Sequence, residues 1–418
     1  MCATIHVQRQ SFGTLLSRNG IIVAGVLLAA ANTLASDWPS WHGEKQDSIS
    51  TETNLNWDWG TNVPKVIWKA QAGKGFSSFA VSNGKVITLG NDKETDTIFC
   101  WEAATGKELW KHAYACPLAA LAHEGGPYAT PVIDNHHVYS LSKAGHYFCL
   151  NLETGKPLWS GAFPPPLTNK VDYKVWWGFA GSPVVMQDKV VFSVGSACVA
   201  LDKNTGVKLW DNGPGRPGYS TPVEFGYHGK KCFAFLGGHE VIGVETEKGN
   251  VLWRVPWRTE WDQNAPDVIV SSNQMFVCSG HNVGCALFDL GSESPKEIWR
   301  NKNLICELST PVLWNGNLYG YSQSHLTCVS WSSGERKWTV DDSNKGSLIL
   351  VGDKLVALEE DGLLRIVQAV DSGYKPVAQA KILDGRCWTQ PVVANGLLYA
   401  RNAAGEVVCL DLRPAAVK

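Results

Sequence analysis

The chain has 418 residues, 44% of them hydrophobic and 18% charged, and a formal net charge of −2. That is ordinary globular composition with ample material for a large core, and it excludes a disordered chain. The near-balanced charge, with no basic stripe, excludes nucleic acid as a partner.

Residues 1–35 read as a secretory signal peptide. Arg9 and Arg18 have no acidic counterpart, Ile21 to Ala31 is an apolar run, and Thr33-Leu34-Ala35 offers small residues at the −3 and −1 positions of a cleavage site. The run is shorter than the ~20 apolar residues a spanning helix needs, so no transmembrane segment is expected in the mature chain; an uncleaved N-terminal anchor is the alternative. Cys2 lies upstream of the run and is not a lipid-attachment cysteine. Removing this leader, which carries two arginines and no acid, takes the net charge to −4. The localisation expected is exported, periplasmic or extracellular.

Residues 36–63 form a Trp-rich lead-in. Trp38, Trp41, Trp57 and Trp59 fall within 22 residues. An exposed tail does not hold so many indoles, so they are expected to pack across the outer surface of the following domain or one of its faces.

From residue 64 to residue 412 the chain repeats itself. The clearest copies of one element are Ala104-Thr105-Gly106-Lys107-Glu108-Leu109-Trp110, Glu153-Thr154-Gly155-Lys156-Pro157-Leu158-Trp159 and Asn204-Thr205-Gly206-Val207-Lys208-Leu209-Trp210. Weaker copies end at Trp253 and Trp338, and Trp68 and Trp299 fit the same slot. Successive slots are 39 to 51 residues apart. That period suits four-stranded propeller blades. Thr-Gly marks a hairpin turn, and the Trp falls on the strand that leaves it. A Trp at a repeat position packs between blades, so none of the seven is assigned to function.

A second element precedes each turn by about half a blade: Ala129-Thr130-Pro131-Val132, Gly181-Ser182-Pro183-Val184, Ser220-Thr221-Pro222-Val223, Ser309-Thr310-Pro311-Val312 and Thr389-Gln390-Pro391-Val392. Pro is tolerated at the first residue of a strand, so these read as the starts of innermost strands beside a central channel. Counting such starts gives eight blades, at roughly 77–111, 128–160, 181–211, 220–254, 267–300, 309–340, 346–379 and 389–412. The last has only three strands. Residues 64–70 supply one strand and a slot Trp with no blade of their own. The fold class predicted is therefore all-β, an eight-bladed β-propeller of four-stranded antiparallel blades. Its ring is closed by an N-terminal strand pairing with the C-terminal blade, so that few edges stay open. Blade five lacks Thr-Gly, with Gly291-Ser292-Glu293-Ser294-Pro295 in its place, and blade seven has Val377 in the Trp slot. Residues 413–418 are a short tail.

Twelve cysteines in an exported protein raise the question of disulfides. Cys100, Cys149, Cys328 and Cys409 hold one repeat slot. Equivalent positions of neighbouring blades are separated by about the ~10 Å of packed sheets, too far for a bridge, so these four read as small buried fillers. Cys278, Cys285 and Cys306 leave room for one local pair. The sequence has no Cys-x-x-Cys, no Gly-x-Ser-x-Gly, no Walker loop and no His-Glu-x-x-His. Three Trp-Asp dipeptides, beginning at Trp57, Trp210 and Trp261, sit at unrelated places in the repeat and do not set a WD40 register.

The Pro-Val inner strand, the turn Ala200-Leu201-Asp202-Lys203-Asn204-Thr205-Gly206-Val207-Lys208-Leu209-Trp210 and the eight-fold count resemble the pyrroloquinoline-quinone-like (PQQ-like) propeller repeat family over about residues 64–412. The opening Trp38-Pro39-Ser40-Trp41-His42-Gly43 looks like the start of exported members. The resemblance implies either of two roles. Quinoprotein alcohol dehydrogenases use the quinone with Ca²⁺, whereas a lipoprotein of the outer-membrane β-barrel assembly machinery is not an enzyme. The dehydrogenases carry an adjacent Cys-Cys pair against the quinone, and no two cysteines are adjacent here; the lipid-attachment cysteine of the assembly lipoprotein is also missing.

Loops leading into the inner strands converge on one channel mouth, the default place for a ligand. The candidate residues there are His123, Glu124, Trp177, Arg216, Trp261, Asp262, Asn264, Arg386 and Trp388, with Lys74, Phe76, Tyr219 and Lys345 on the same loops. Asp262, Asn264 and Glu124 are the candidate oxygen ligands for Ca²⁺. No catalytic residue or resident metal is assigned. The function expected is a non-catalytic binding or scaffold module, monomeric and without a cofactor, for a protein or glycan partner in the cell envelope. The alternative is a PQQ- and Ca²⁺-dependent oxidoreductase.

Overall fold

The computed structural model describes residues 36–59, 63–120, 123–164, 177–195, 197–213 and 217–414. The signal peptide predicted over 1–35 lies outside them. Every regular element among the described residues is a β-strand, and the strands form eight antiparallel sheets in a ring, as the repeat predicted. Blade one, for example, is Ala80–Ser82, Lys85–Asp92, Thr95–Glu102 and Glu108–Ala115, paired in that order from channel to rim. The eighth blade is built from both ends of the repeat. Val392–Ala394, Leu397–Arg401 and Glu406–Asp411 come from the C-terminal part, and Val66–Gln71 is added as the outermost strand, with Trp68 opposite Cys409.

The Thr-Gly turns share one backbone bond, from the N–H of Gly106, Gly155 and Gly206 to the carbonyl of Glu102, Asn151 and Asp202. In the sharpest copy the Asp202 carboxylate accepts the backbone N–H groups of Asn204 and Thr205 and the Thr205 hydroxyl. The chain then reverses through Gly206 in the left-handed region, with φ 72°, which L side chains resist. A Cβ added to Gly106, Gly155, Gly206 or Gly249 would stand 2.5–2.8 Å from the indole of the preceding blade's slot Trp. That indole also forms a hydrogen bond into the same turn. Trp68, Trp110, Trp159, Trp210, Trp299 and Trp338 donate Nε1–H to Ala103, Leu152, Lys203, Thr246, Trp331 and Val370, at 2.8–3.2 Å. The slot cysteines sit on the third strand directly opposite these rings: Cys100 faces Trp110, Cys149 faces Trp159, Cys328 faces Trp338. They are small because the indole lies over them. All eleven described cysteines are buried free thiols, including Cys278, Cys285 and Cys306.

On the channel side a second belt joins the blades. The hydroxyl before Pro131, Pro183 and Pro222 accepts the backbone N–H of its counterpart in the preceding blade: Ser78 N to Thr130 Oγ1, Thr130 N to Ser182 Oγ, and Ser182 N to Thr221 Oγ1, at 2.9–3.0 Å. In blade five the position is Asp267, whose Oδ1 accepts Thr221 N at 2.6 Å, and Asp267 N donates to Thr310 Oγ1 at 2.8 Å.

The spare oxygen of Asp267 holds the lead-in, whose placement corrects the expectation of packing on the outer surface or a face. The segment lies across the channel, against the inner strands. Trp38 bridges Val81 on the inner strand of blade one, Pro39 O accepts Ile133 N of blade two, and Ile49–Ser50 adds a parallel strand to Gly346–Val351 of blade seven. Between them Trp41 Nε1 donates to Asp267 Oδ2 at 2.8 Å. His42 Nε2 lies 3.0 Å from the same oxygen, close enough for an electrostatic contact though not aligned as a hydrogen bond. Its Nδ1 meets Ser48 Oγ and, at 3.2 Å, Gln390 Oε1. Trp57 and Trp59 instead pack with the core shared by blades one, seven and eight.

Asp267→Ala strands the Thr221 and Trp41 N–H groups in a buried site, and is expected to cost about 3 kcal/mol or more. Asp267→Thr restores the belt bond but not the Trp41 bond and should recover about half of that loss. Denaturant midpoints of the two variants measure this; equal losses, or none, contradict the arrangement.

Candidate functional site

The end of the channel opposite the lead-in's entrance is a cup of about 320 Å³. Its floor is Trp41 together with the belt residues Ser182, Thr221 and Asp267; its walls include Phe76, Tyr128, Trp177 and Trp388. The lead-in closes what an empty ring would leave open, and it makes the cup blind.

The loop between blades one and two delivers His123 and Glu124. It folds back through Gly125 and Gly126, both left-handed at φ 73° and 89°. A Cβ on either would stand 2.4 Å from a carbonyl oxygen, of Leu118 and Lys74 respectively. Lys143, nearly buried, ties the same loop through Leu118 O. His123 stacks on Trp177 at 4.6 Å and meets Phe76 and Trp388 edge-on at 5.1 and 5.6 Å. Phe76 lies parallel to Tyr128, with centroids 5.6 Å apart, and stacks against Trp388 at 5.5 Å. Burial pulls the His123 pKa below its usual value, against an opposing pull from Glu124, so the ring is neutral at neutral pH. Burial raises the Tyr128 hydroxyl, which remains a protonated donor.

At the rim Arg386 stacks over Trp388 at 4.5 Å and pairs with Glu124 at 2.6 Å, and its Nε lies 3.5 Å from Glu360. Lys345 pairs with Glu307 on the other side. Two donors in the wall, Tyr128 Oη and Trp388 Nε1, are buried without a protein partner.

Of the residues read from sequence, His123, Glu124, Trp177, Arg386 and Trp388 converge here, with Phe76, Tyr219 and Lys345. Trp261 is exposed and does not line the cup, and Arg216 lies outside the described residues. Asn264 is fully buried: its amide nitrogen contacts the carbonyls of Gly237, Gly238 and Trp257, and its oxygen accepts the Ser279 hydroxyl. Asp262 pairs with His239 at 2.6 Å. The set proposed for Ca²⁺ is thus spread over separate contacts, and among the described residues no cluster of three His, Cys, Asp or Glu side chains is placed to hold a metal. Lys74 anchors the blade-one loop through its backbone, bridging Asn91. Trp41, Tyr128, Asp267 and Glu307 are lining residues that sequence reasoning did not place at the mouth. The one available signal was the density of Trp in the lead-in.

A family model described as outer membrane protein assembly factor BamB matches residues 117–340. The search of curated proteins finds no match. Among solved structures, BamB from Moraxella catarrhalis superposes with a TM-score of 0.62 at 15% identity, covering 85% of this chain and 100% of that one. A europium-containing methanol dehydrogenase gives 0.70 at 12% identity, covering 90% and 98%. The quinohemoprotein alcohol dehydrogenase from Comamonas testosteroni gives 0.62 at 12% identity, covering 93% and 82%. At these identities the likeness speaks for the fold alone. Among the described residues no helix is long and apolar enough to cross a membrane.

An NMR titration of His123 is expected to give a pKa below the ordinary 6.5, and Glu124→Gln should lower it further by removing the opposing charge. A wild-type value at or above 6.5, or a rise in the variant, contradicts this account of the mouth.

Proposed function

The chain belongs to the PQQ-like β-propeller family that the assembly-factor model describes, and from that premise we propose that it is an exported, non-catalytic binding module whose blind aromatic cup receives part of a partner in the cell envelope. The observation that carries this reading is the cup itself. A closed floor, ring faces on the walls and ion pairs locked at the rim make a receptor that holds without an obvious group to react. His123 is neutral but stacked between rings, and the nearby carboxylates Glu124, Glu307 and Asp267 each hold a protein partner. The signal peptide predicted at 1–35 and the assembly-factor likeness support placement in the envelope. A monomer suits the reading, since the mouth is complete within one chain.

The quinone alternative fits the donor set less well. PQQ carries three carboxylates, and among the described residues two cations of this mouth, Arg386 and Lys345, are already paired with Glu124 and Glu307. A calcium ion would need several oxygen ligands together, while Asp262, Asn264 and Glu124 are engaged apart from one another.

Immobilised mature chain is expected to retain an envelope component that the Trp177→Ala/Trp388→Ala variant loses, with both proteins equally folded by circular dichroism. Titration with PQQ and Ca²⁺ should give no dye reduction with alcohols or sugars. Saturable quinone binding with turnover overturns the reading in favour of the oxidoreductase.

A further inference from the structure

The chemistry of the cup narrows what it holds. We infer that it takes the end of a neutral carbohydrate chain. This rests on the cup being a binding site, as proposed above, and adds the class of ligand.

The shape comes first. Trp41 and the belt residues close the floor, so nothing can thread through the ring. A ligand enters end-on, as a chain terminus or a pendant residue. The volume of about 320 Å³ is at the small end of ligand pockets, suited to a short terminus rather than a folded loop.

Charge comes next. Lys345 is held by Glu307, Arg386 by Glu124, and Asp267 by the N–H groups of Trp41 and Thr221 with His42 beside it. Among the described residues, each charge lining the cup, Asp267, Glu307 and Lys345, is matched from within the protein. An ionic ligand would lose its hydration and find no free counter-charge among them, which is costly. The end of a peptide brings an ammonium or a carboxylate and meets the same penalty. A neutral ligand does not.

The walls ask for two properties at once. The faces of Phe76, Trp177 and Trp388 favour apolar C–H surface. Tyr128 Oη and Trp388 Nε1 are buried donors lacking a protein acceptor, and buried donors are normally satisfied. A purely aliphatic ligand covers the rings and leaves the donors stranded. A sugar ring has an apolar C–H face and hydroxyls that both donate and accept, so it answers both. Gln263 and Thr389, also in the lining, add polar groups beside the rings.

Calorimetry of the mature chain against cellotetraose, maltotetraose, chitotetraose and α-mannotetraose tests this, with an acidic alginate tetramer and an unblocked tetrapeptide as the charged comparisons. The expected result is one-to-one binding of at least one neutral tetramer. Raising salt from about 50 to about 500 mM should leave it nearly unchanged, because no ion pair forms. Trp388→Phe keeps an aromatic face but removes the N–H, and should weaken binding by about fivefold, while Trp177→Ala should weaken it by ~tenfold. Thermal unfolding checks that both variants are folded. No binding by any neutral tetramer, or tighter and salt-sensitive binding of the charged comparisons, overturns the inference. If the neutral sugars fail while Trp177→Ala/Trp388→Ala still loses its envelope component, the ligand class is wrong and the binding site stands. If that component is also unaffected, both readings fall.

Discussion

The ring depends on one contact repeated around its circumference: an indole on the outer strand of each blade, laid under the turn glycine of the next and bonded to the carbonyl three residues before it. The contact needs a residue without Cβ at positive φ and a large flat ring with a single donor. Those two needs are the Gly and the Trp of the repeat, while the residue opposite the ring ranges from Cys100 to Leu287. Where a partner is missing, the structure changes accordingly. Trp253 faces blade five, which has no Thr-Gly turn, and its Nε1 is left without a partner. Blade seven has Val377 in the slot, and the blade it faces is the one whose outer strand comes from the other end of the repeat, with no such turn to bond.

The second dependency is the inner belt, and one chemical exception in it organises the mouth. Thr130, Ser182, Thr221 and Thr310 each satisfy one backbone N–H with a single side-chain oxygen. Asp267 has a second oxygen, which reaches into the channel and captures Trp41. That bond brings the lead-in across the channel and turns a tube into a cup. The floor of the candidate site and the stability of the ring therefore share one carboxylate, 4% exposed. Conformational order in the lead-in and shape at the mouth are coupled through it.

The fold was readable from sequence because its rules are local and repeated. The spacing of Trp68, Trp110, Trp159 and Trp210 gave the blade period, and a lone strand at one end matched a three-stranded blade at the other. The mouth was readable in part: loops before inner strands must converge, so His123, Trp177, Arg386 and Trp388 meet as expected. The lead-in was not, because its contacts join residues 226 and 348 positions apart, Trp41 to Asp267 and His42 to Gln390, with no periodicity to announce them. Asn264 looked like a ligand because it is a polar residue on a loop. Its amide proves to tie together carbonyls that the turn at Gly237 and Gly238 leaves unpaired by strand bonds.

The assignment of a blind cup rests on the lead-in being a fixed part of the propeller rather than a tail resting in it. Hydrogen exchange of the amides bonded across that junction, Trp38, Val81, Ile133 and Leu350, tests this most directly. The account predicts protection comparable to that of inner-strand amides such as Val356, because these bonds are buried and sealed by the Asp267 contact. Exchange of Trp38 and Leu350 at the rate of exposed loops, with Val356 still protected, would mean that the channel is open at both ends and that the cup has no floor.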